Sequence, residues 1–317
     1  ASLVGQDSPL VHLDLSAESD KIVRLFDADA RHGGQQLPLD PEPGGLPAAP
    51  STGFVGRLQE LQALQRVLRG EHALGPILVH GYEGIGKTTF VAQAARWLAR
   101  TGRFQQVVYT SFAGGGCWDT ALQHLGAILL GGSLPQGEEE QMCAVEEALA
   151  RTPTLVIWDQ LDALLTDGEL PLGAQELNAL LQFGERVARA GASRLCVVSD
   201  SEDLFHPAFT ASGLALKLKL AGLPPADAIE LFGRSVDQHA PAWAEPSVRA
   251  HWAARLNGQP LALRIVASLS GRRTPDEMTA LLASALPGFG EGEGRLGNQA
   301  LQAALEAWFK YLPEKTS

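Results

Sequence analysis

A glycine-rich segment between an apolar run and an amphipathic run contains residue types that bind phosphate. The segment from Gly81 to Thr88 fits the pattern G-x-x-x-x-G-K-[ST]. Glycines at these positions let successive backbone N–H groups converge on one anion. A helix predicted to begin near Lys87 directs the positive end of its dipole at the same point. The pattern therefore predicts a site for nucleotide phosphates formed by Gly81, Glu83, Gly84, Ile85, Gly86, Lys87, Thr88 and Thr89.

Two side chains of this segment have separate chemical roles. The ammonium of Lys87 can reach the terminal phosphates, and the hydroxyl of Thr88 can ligate Mg²⁺, an ion that keeps most of its waters. The alternative is a glycine-rich turn that only joins a strand to a helix. Lysine is scarce in this chain, however, because Lys87 is the only one between Lys21 and Lys217. We therefore expect ATP or ADP with Mg²⁺ as the cofactor.

A second segment ends in an acidic residue suited to holding the metal ion. The apolar run from Leu155 to Trp158 is typical of a strand buried on both faces of a parallel sheet. Asp159 follows at the carboxyl end of this strand, where α/β sheets place their ligands. We predict that Asp159 and Thr88 hold Mg²⁺, the alternative being an acid that only caps the strand at the surface.

The residue after this acid bears on hydrolysis. Gln160 has an amide that can orient a water molecule but cannot accept its proton at neutral pH. Asp162, two residues further on, could compensate. We expect slow hydrolysis, with Lys87, Asp159 and Gln160 as the candidate catalytic residues.

The remaining pattern positions these segments in an α/β fold. Up to residue 221, short apolar runs that indicate strands alternate with segments whose apolar residues have helical spacing. From residue 222 onward the spacing of apolar residues is helical throughout. Leu216, Leu218 and Leu220 alternate with lysines, which indicates a half-exposed strand near a sheet edge. The prediction is a three-layer αβα nucleotide-binding fold with a parallel sheet of about five strands, followed by a small helical domain.

Composition shifts divide the chain into segments. Residues 1–32 carry no motif, and we interpret them as the remnant of a preceding segment. Residues 33–52 are so rich in proline and glycine that we predict a linker. The nucleotide-binding domain is predicted over 53–221 and the helical domain over 222–290. The chain has no initiator methionine, and we expect it to be part of a longer protein.

Charge and hydropathy exclude some classes of partner. The formal net charge of −11 gives no support to direct nucleic-acid binding, which needs clustered lysine and arginine. No apolar run approaches the roughly 18 residues of a membrane span, so no membrane partner is expected. Cys117, Cys143 and Cys196 are odd in number and lack metal-ligand spacing, which fits reduced thiols in the cytoplasm.

Several motifs taken in order resemble those of bacterial STAND ATPases, the class with NB-ARC or NOD-like nucleotide-binding modules. They are Phe54-Val-Gly-Arg57, the phosphate loop, the strand ending at Asp159, and Gly258-Gln-Pro260-Leu-Ala-Leu263. The sequence of the segment that follows the phosphate loop is similar to that of family members fused to CHAT or related effector domains. The resemblance implies that Phe54, Val55 and Arg57 bracket the adenine and that Pro260 and Leu261 close on it from the helical domain. It also implies that residues 291–317 begin a winged-helix-like segment.

The function implied by this resemblance is a regulatory switch. ADP would hold the two domains closed, and exchange for ATP would permit self-association and activate an effector. Effector and sensor domains would lie outside this chain. The family usually has an arginine that senses the terminal phosphate where this chain has Ser201. The alternatives are a turnover ATPase of the AAA type for remodelling and the ATPase module of a STAND-type transcription regulator.

Overall fold

Five strands form the parallel sheet that the sequence predicts. The strands are β1 (Ile77–His80), β2 (Gln106–Ser111), β3 (Thr154–Asp159), β4 (Arg194–Ser199) and β5 (Leu216–Lys219). They lie side by side in the order β2-β3-β4-β1-β5, and every neighbouring pair is parallel. The computed structural model describes residues 45–69, 75–132, 134–164, 174–204, 206–209, 215–285, 302 and 304–306.

The hydrophobic pattern of each strand agrees with its place in the sheet. Strands β1, β3 and β4 occupy inner positions, and all of their residues are buried. Strand β5 lies at one edge, where Leu216 and both of its lysines are exposed. The half-exposed edge strand was therefore correctly predicted from the alternation of leucine and lysine.

Helices cover the sheet and then continue as a separate group. The helices that accompany the sheet are α1 (Leu58–Arg69), α2 (Lys87–Arg100), α3 (Trp118–Leu129), α4 (Glu138–Arg151) and α5 (Ala174–Arg189). The later group contains α6 (Pro225–Ser235), α7 (Pro246–Arg255), α8 (Pro260–Ser268) and α9 (Pro275–Ala285). A short 3-10 helix, Leu161–Leu164, follows β3 directly.

Two hydrophobic cores correspond to these two groups. The first core includes Trp158 of β3, whose ring meets Phe112 edge to face at a centroid distance of 6.1 Å. The second core belongs to the helical group and contains Trp243 and Trp252, whose ring centroids are 5.4 Å apart. Val55, which precedes α1 in the chain, packs into this second core. The segment before α1 is therefore attached to the helical group by burial of apolar surface.

The predicted fold class is confirmed, whereas the predicted domain boundaries stay predictions. The predictions for residues 1–32, for 33–44 of the linker and for most of 286–317 lie outside the described residues. Within the last segment, 302 and 304–306 are helical, and Ala304 is buried in the second core. None of the described helices is long and apolar enough to cross a bilayer.

Three histidines are placed where the protein disfavours their charged form. His124 of α3 is half-buried, with its Nδ1 2.8 Å from Thr110 Oγ1. Burial lowers the pKa of His124, and it is also the main cause that lowers the pKa of His80 and of His206. These imidazoles therefore resist protonation in the folded state.

We expect the folded state to lose stability as the pH falls below 6.5, the ordinary pKa of a histidine side chain. In the unfolded chain His124 takes up its proton around that pH, whereas in the folded chain it does so only at lower pH, so acid favours unfolding. The variant His124→Gln should lose less unfolding free energy than the parent between about pH 7.5 and pH 5.5. Denaturant unfolding at several pH values measures this difference. The exposed His251→Gln is the control for removing one imidazole, and an equal loss in His124→Gln and parent would contradict the assignment.

Candidate functional site

The phosphate loop connects the end of β1 to the start of α2. His80 is the last residue of β1, and α2 begins at Lys87. Gly84 and Gly86 have φ angles of 72° and 91°, a left-handed conformation that favours glycine. The first N–H groups of α2 have no partner within the helix, as at every helix N-terminus. The loop and helix therefore present backbone donors suited to an anion.

Gly81 is required at the start of the loop by a close backbone approach. A Cβ atom at this position would lie 2.5 Å from the carbonyl oxygen of Leu220, just after β5. That oxygen belongs to the backbone and cannot move like the end of a side chain. The first glycine of the motif thus lets β1 and β5 run together up to the edge of the sheet where the loop begins.

The ammonium of Lys87 is bound within the protein. Its three hydrogens can meet three acceptors: the carbonyl oxygens of Gly81 and Tyr82, 2.9 Å and 3.1 Å away, and Oδ1 of Asp200. The Lys87 side chain is 10% exposed and the Asp200 side chain 42%. Asp200 follows β4, which pairs with β1 through His80 and Ser199. An acidic residue therefore lies directly against the lysine of the phosphate loop.

Asp159 is fully buried, and both of its carboxylate oxygens accept hydrogen bonds. The Tyr109 hydroxyl donates to Oδ2 at 2.6 Å, and the Gln160 backbone N–H donates to Oδ1 at 2.9 Å. Burial and the bond to Asp159 raise the pKa of Tyr109, so the phenol keeps its proton. The carboxylate is held in a fixed orientation at the carboxyl end of β3, as an indirect ligand of a hydrated metal ion would be.

Gln160 is held in a specific conformation beside Asp159. Its φ of 59° is left-handed, which is uncommon for a residue other than glycine. Its Oε1 lies 2.7 Å from the hydroxyl of Ser111, which donates to it. This oxygen can accept a second hydrogen bond, but a carboxamide is too weakly basic to be protonated at neutral pH. Such a group cannot take a proton from a water molecule.

A second carboxylate lies in the same region. Asp162, in the short 3-10 helix after β3, accepts a hydrogen bond at 3.1 Å from the backbone N–H of Asp200. Burial raises the pKa of Asp162, and the nearby charge of Asp200 raises it further. Asp162 is therefore easier to protonate than an exposed aspartate.

Arg57 joins the segment before α1 to the phosphate loop and to the start of the helical group. Its guanidinium donates to the carbonyl oxygen of Ile85 at 3.1 Å, to that of Ala221, and to Glu60 at 2.9 Å. The residue is only 4% exposed. The preceding Gly56 is also constrained, because a Cβ there would lie 2.3 Å from Oδ2 of Asp227 in α6.

The helical group contacts the phosphate loop from the other side. Gln259, just before α8, donates from Nε2 to the carbonyl oxygen of Glu83 at 2.7 Å. The backbone N–H of Leu261 donates to the carbonyl oxygen of Gly84 at 3.2 Å. Pro260 lies between them, and a Cβ at Gly86 would be 3.8 Å from its Cγ. The G-x-P-L-A-L segment is therefore bonded to the loop.

These walls line an open cleft. The cleft is mainly apolar, with a few hydroxyl and guanidinium groups. Its lining residues are Pro50, Thr52, Gly53, Phe54, Val55, Arg57, Ile85, Gly86, Thr89, Leu223, Leu231, Pro260 and Arg264. An apolar cleft with a few polar groups is what a flat heterocyclic base requires. It adjoins the anion site of the loop, so the combination fits a nucleotide.

The donor set also fits Mg²⁺ held mostly by phosphate and water. Within the described residues, no three histidine, cysteine or acidic side chains cluster as a metal site. Mg²⁺ usually takes only one or two protein ligands beside substrate phosphates and waters. Thr88, in the first turn of α2, and the fixed carboxylate of Asp159 are the groups that would serve.

Comparison with known proteins agrees with this architecture. The family model of the AAA ATPase domain matches residues 53–226. The chain belongs to this family. A comparison with curated protein sequences gave no match.

Solved structures of low similarity include C. elegans PCH-2 and a Drosophila complex. The PCH-2 structure is 16% identical with a TM-score of 0.44, covering 80% of this chain and 68% of that one. The structure of Drosophila ORC bound to AT-rich DNA and Cdc6 contains a chain that is 18% identical with a TM-score of 0.38. That match covers 51% of this chain and 54% of the other.

The fold brings most of the predicted site residues together. Seven of them line the cleft: Phe54, Val55, Arg57, Ile85, Gly86, Thr89 and Pro260. Gly81, Glu83, Gly84, Lys87 and Thr88 form the adjoining loop and first helical turn. Asp159 and Gln160 lie at the end of β3. Leu261 contributes its backbone N–H, whereas its side chain is 37% exposed and is not among the described lining residues.

Several residues of the site were not predicted from the sequence. Arg264 lies one helical turn after Pro260, and this spacing alone could have placed it in the cleft. Asp200 and Tyr109 depend on which strands are neighbours, which no local motif encodes. At the end of β4 the sequence drew attention to Ser201, which stands where the family usually has a phosphate-sensing arginine. The Ser201 hydroxyl donates to the backbone carbonyl oxygen of Asp203 at 2.6 Å. The residue that meets Lys87 is one position earlier.

We expect Arg57→Ala to lower the free energy of unfolding by about 2–4 kcal/mol, because it removes charge-assisted bonds to buried carbonyls. Arg57→Lys should recover little of the loss, since an ammonium cannot reproduce the fork of donors. The control is Arg151→Ala, whose exposed ion pair with Glu147 is 3.8 Å long and should cost under about 1 kcal/mol. Equal losses in the Arg57→Ala and Arg151→Ala variants, measured by denaturant unfolding, would contradict the role of Arg57.

Proposed function

We propose that this AAA ATPase domain is an adenine-nucleotide switch of the STAND type, in which binding and exchange matter more than hydrolysis. The supporting observation is the bonding of Gln259 and Leu261 to the carbonyls of Glu83 and Gly84. A nucleotide in the cleft would contact the phosphate loop and the helical group at once. Its binding would therefore favour the closed arrangement of the two.

Slow hydrolysis is supported by the state of Gln160. A general base must accept a proton from the attacking water within hydrogen-bond reach. The Gln160 side chain is a carboxamide, which is not basic at neutral pH, and its Oε1 accepts a hydrogen bond from Ser111. In this proposal Lys87 and the loop N–H groups bind phosphate, Thr88 and Asp159 hold Mg²⁺, and Phe54 and Pro260 face the base. Bound Mg²⁺ would supply charge neutralisation at the phosphates.

The output of the switch is part of the same proposal. Exchange of ADP for ATP would permit self-association of this chain, and effector and sensor domains elsewhere in a longer protein would use it. The support for this step is the resemblance of the motifs to STAND ATPases. The cytoplasm is the proposed compartment, because it supplies the nucleotide.

Lys87→Ala should weaken ADP and ATP binding by about 100-fold or more, because it removes a charged donor to phosphate. Titration of a fluorescent ADP analogue measures the affinity, and small molecules released from denatured protein show what is bound on purification. The exposed Lys217→Ala is the matched control and should bind like the parent. A parent protein that contains no adenine nucleotide and binds neither ADP nor ATP would refute the proposed function.

A turnover ATPase is the second candidate, and Asp162 is the observation that favours it. Its raised pKa and its position beside Asp200 are suited to a carboxylate that exchanges a proton with water. The switch proposal instead predicts a multiple-turnover rate well below about 1 s⁻¹, under the ordinary enzyme range. A steady-state phosphate-release assay of parent and Asp162→Asn decides the matter. A rate above that value, lost in Asp162→Asn, would favour the turnover enzyme.

A further inference from the structure

The end of β4 places an anion where the nucleotide phosphates are expected. The carboxylate of Asp200 forms an ion pair with the ammonium of Lys87. The other two hydrogens of that ammonium meet the carbonyl oxygens of Gly81 and Tyr82. An ammonium has three hydrogens, so the three acceptors use its whole donor capacity. A phosphate can bind Lys87 only by displacing one of them.

Asp200 is the acceptor that can be displaced most easily. The two carbonyls belong to the backbone of the phosphate loop, whereas the carboxylate is the exposed end of a side chain. The backbone of Asp200 is meanwhile anchored, because its N–H donates to Asp162 at 3.1 Å. The carboxylate would therefore leave Lys87 but stay close to the anion that replaces it. A carboxylate near a phosphate repels it more strongly as the phosphate charge increases.

We propose that Asp200 is an anionic gate on the phosphate loop, which competes with the nucleotide phosphates for Lys87 and disfavours ATP relative to ADP. This inference rests on the proposed function, because it concerns the same nucleotide site. The lysine of a phosphate loop reaches the terminal phosphates, so an acid beside it opposes the most highly charged end of the ligand. The gate sets a threshold for exchange: ADP is the favoured ligand, and ATP replaces it only at a larger excess.

Two variants separate the charge of Asp200 from its size. Asp200→Asn removes the charge and keeps the shape, whereas Asp200→Glu keeps the charge. Glu202→Gln is the matched control, because it removes an exposed carboxylate two positions away. Dissociation constants for adenosine, ADP and ATP are measured with Mg²⁺ for all four proteins. We expect Asp200→Asn to bind ATP about tenfold more tightly than the parent, ADP less than about threefold more tightly, and adenosine unchanged.

A second measurement needs no nucleotide. Lys87 is the only lysine between Lys21 and Lys217, so one peptide reports its reaction with a limiting amine-acylating reagent in mass spectrometry. Release of the ammonium from Asp200 should make this labelling several-fold faster in Asp200→Asn. Asp200→Glu and Glu202→Gln should label at the parent rate.

The outcomes distinguish the gate from the switch. If the parent binds ADP and the ratio of ATP to ADP affinity is the same in Asp200→Asn, the gate is refuted and the nucleotide switch stands. If adenosine affinity shifts as much as ATP affinity, Asp200 acts through the fold and the gate is equally refuted. If neither the parent nor Asp200→Asn binds ADP or ATP, the proposed function and the gate fail together.

Discussion

Five consecutive carbonyl groups of the phosphate loop, in residues 81–85, each accept a hydrogen bond from the protein. The first two bind the ammonium of Lys87, and the next two bind Gln259 and Leu261 of the helical group. The fifth binds the guanidinium of Arg57. A loop whose N–H groups must stay available to an anion needs its carbonyls satisfied by the protein, since buried polar groups are costly when unpaired. These bonds tie two distant segments, one around Arg57 and one around Pro260, to the same loop.

The position of the phosphate loop depends on the register of the parallel strands. His80 pairs with Ser199, so the loop after β1 and Asp200 after β4 emerge at the same edge. On the other side, Ser111 pairs with Asp159, which brings the hydroxyls of β2 to the acid of β3 and to Gln160. A shift of one residue in either pair would reverse the side chains at these ends. Burial of both faces of β3 and β4 fixes the register against such a shift.

The sequence predicted the parts of the site whose chemistry is local. The phosphate loop and Asp159 were identified because one short segment contains every group that defines them. The approach of Pro260 to the adenine was expected only through resemblance to a family, since its distance along the chain carries no periodic signal. The ion pair of Lys87 with Asp200 was not predicted. This ion pair depends on which strands are neighbours in the sheet. The hydrophobic pattern of β4 would be the same beside any inner strand.

The proposed coupling of bound charge to domain closure would act through the arrangement of these carbonyls. Lys87 is bonded to Asp200, and its charge also acts on Asp162, so two carboxylates lie near this one cation. A phosphate that binds Lys87 in place of Asp200 would act on an ammonium that also donates to the carbonyls of Gly81 and Tyr82. The carbonyls that follow directly in the chain hold the helical group. In the proposed switch, a change in the charge bound at the loop would reach the helical group through these adjacent peptide units.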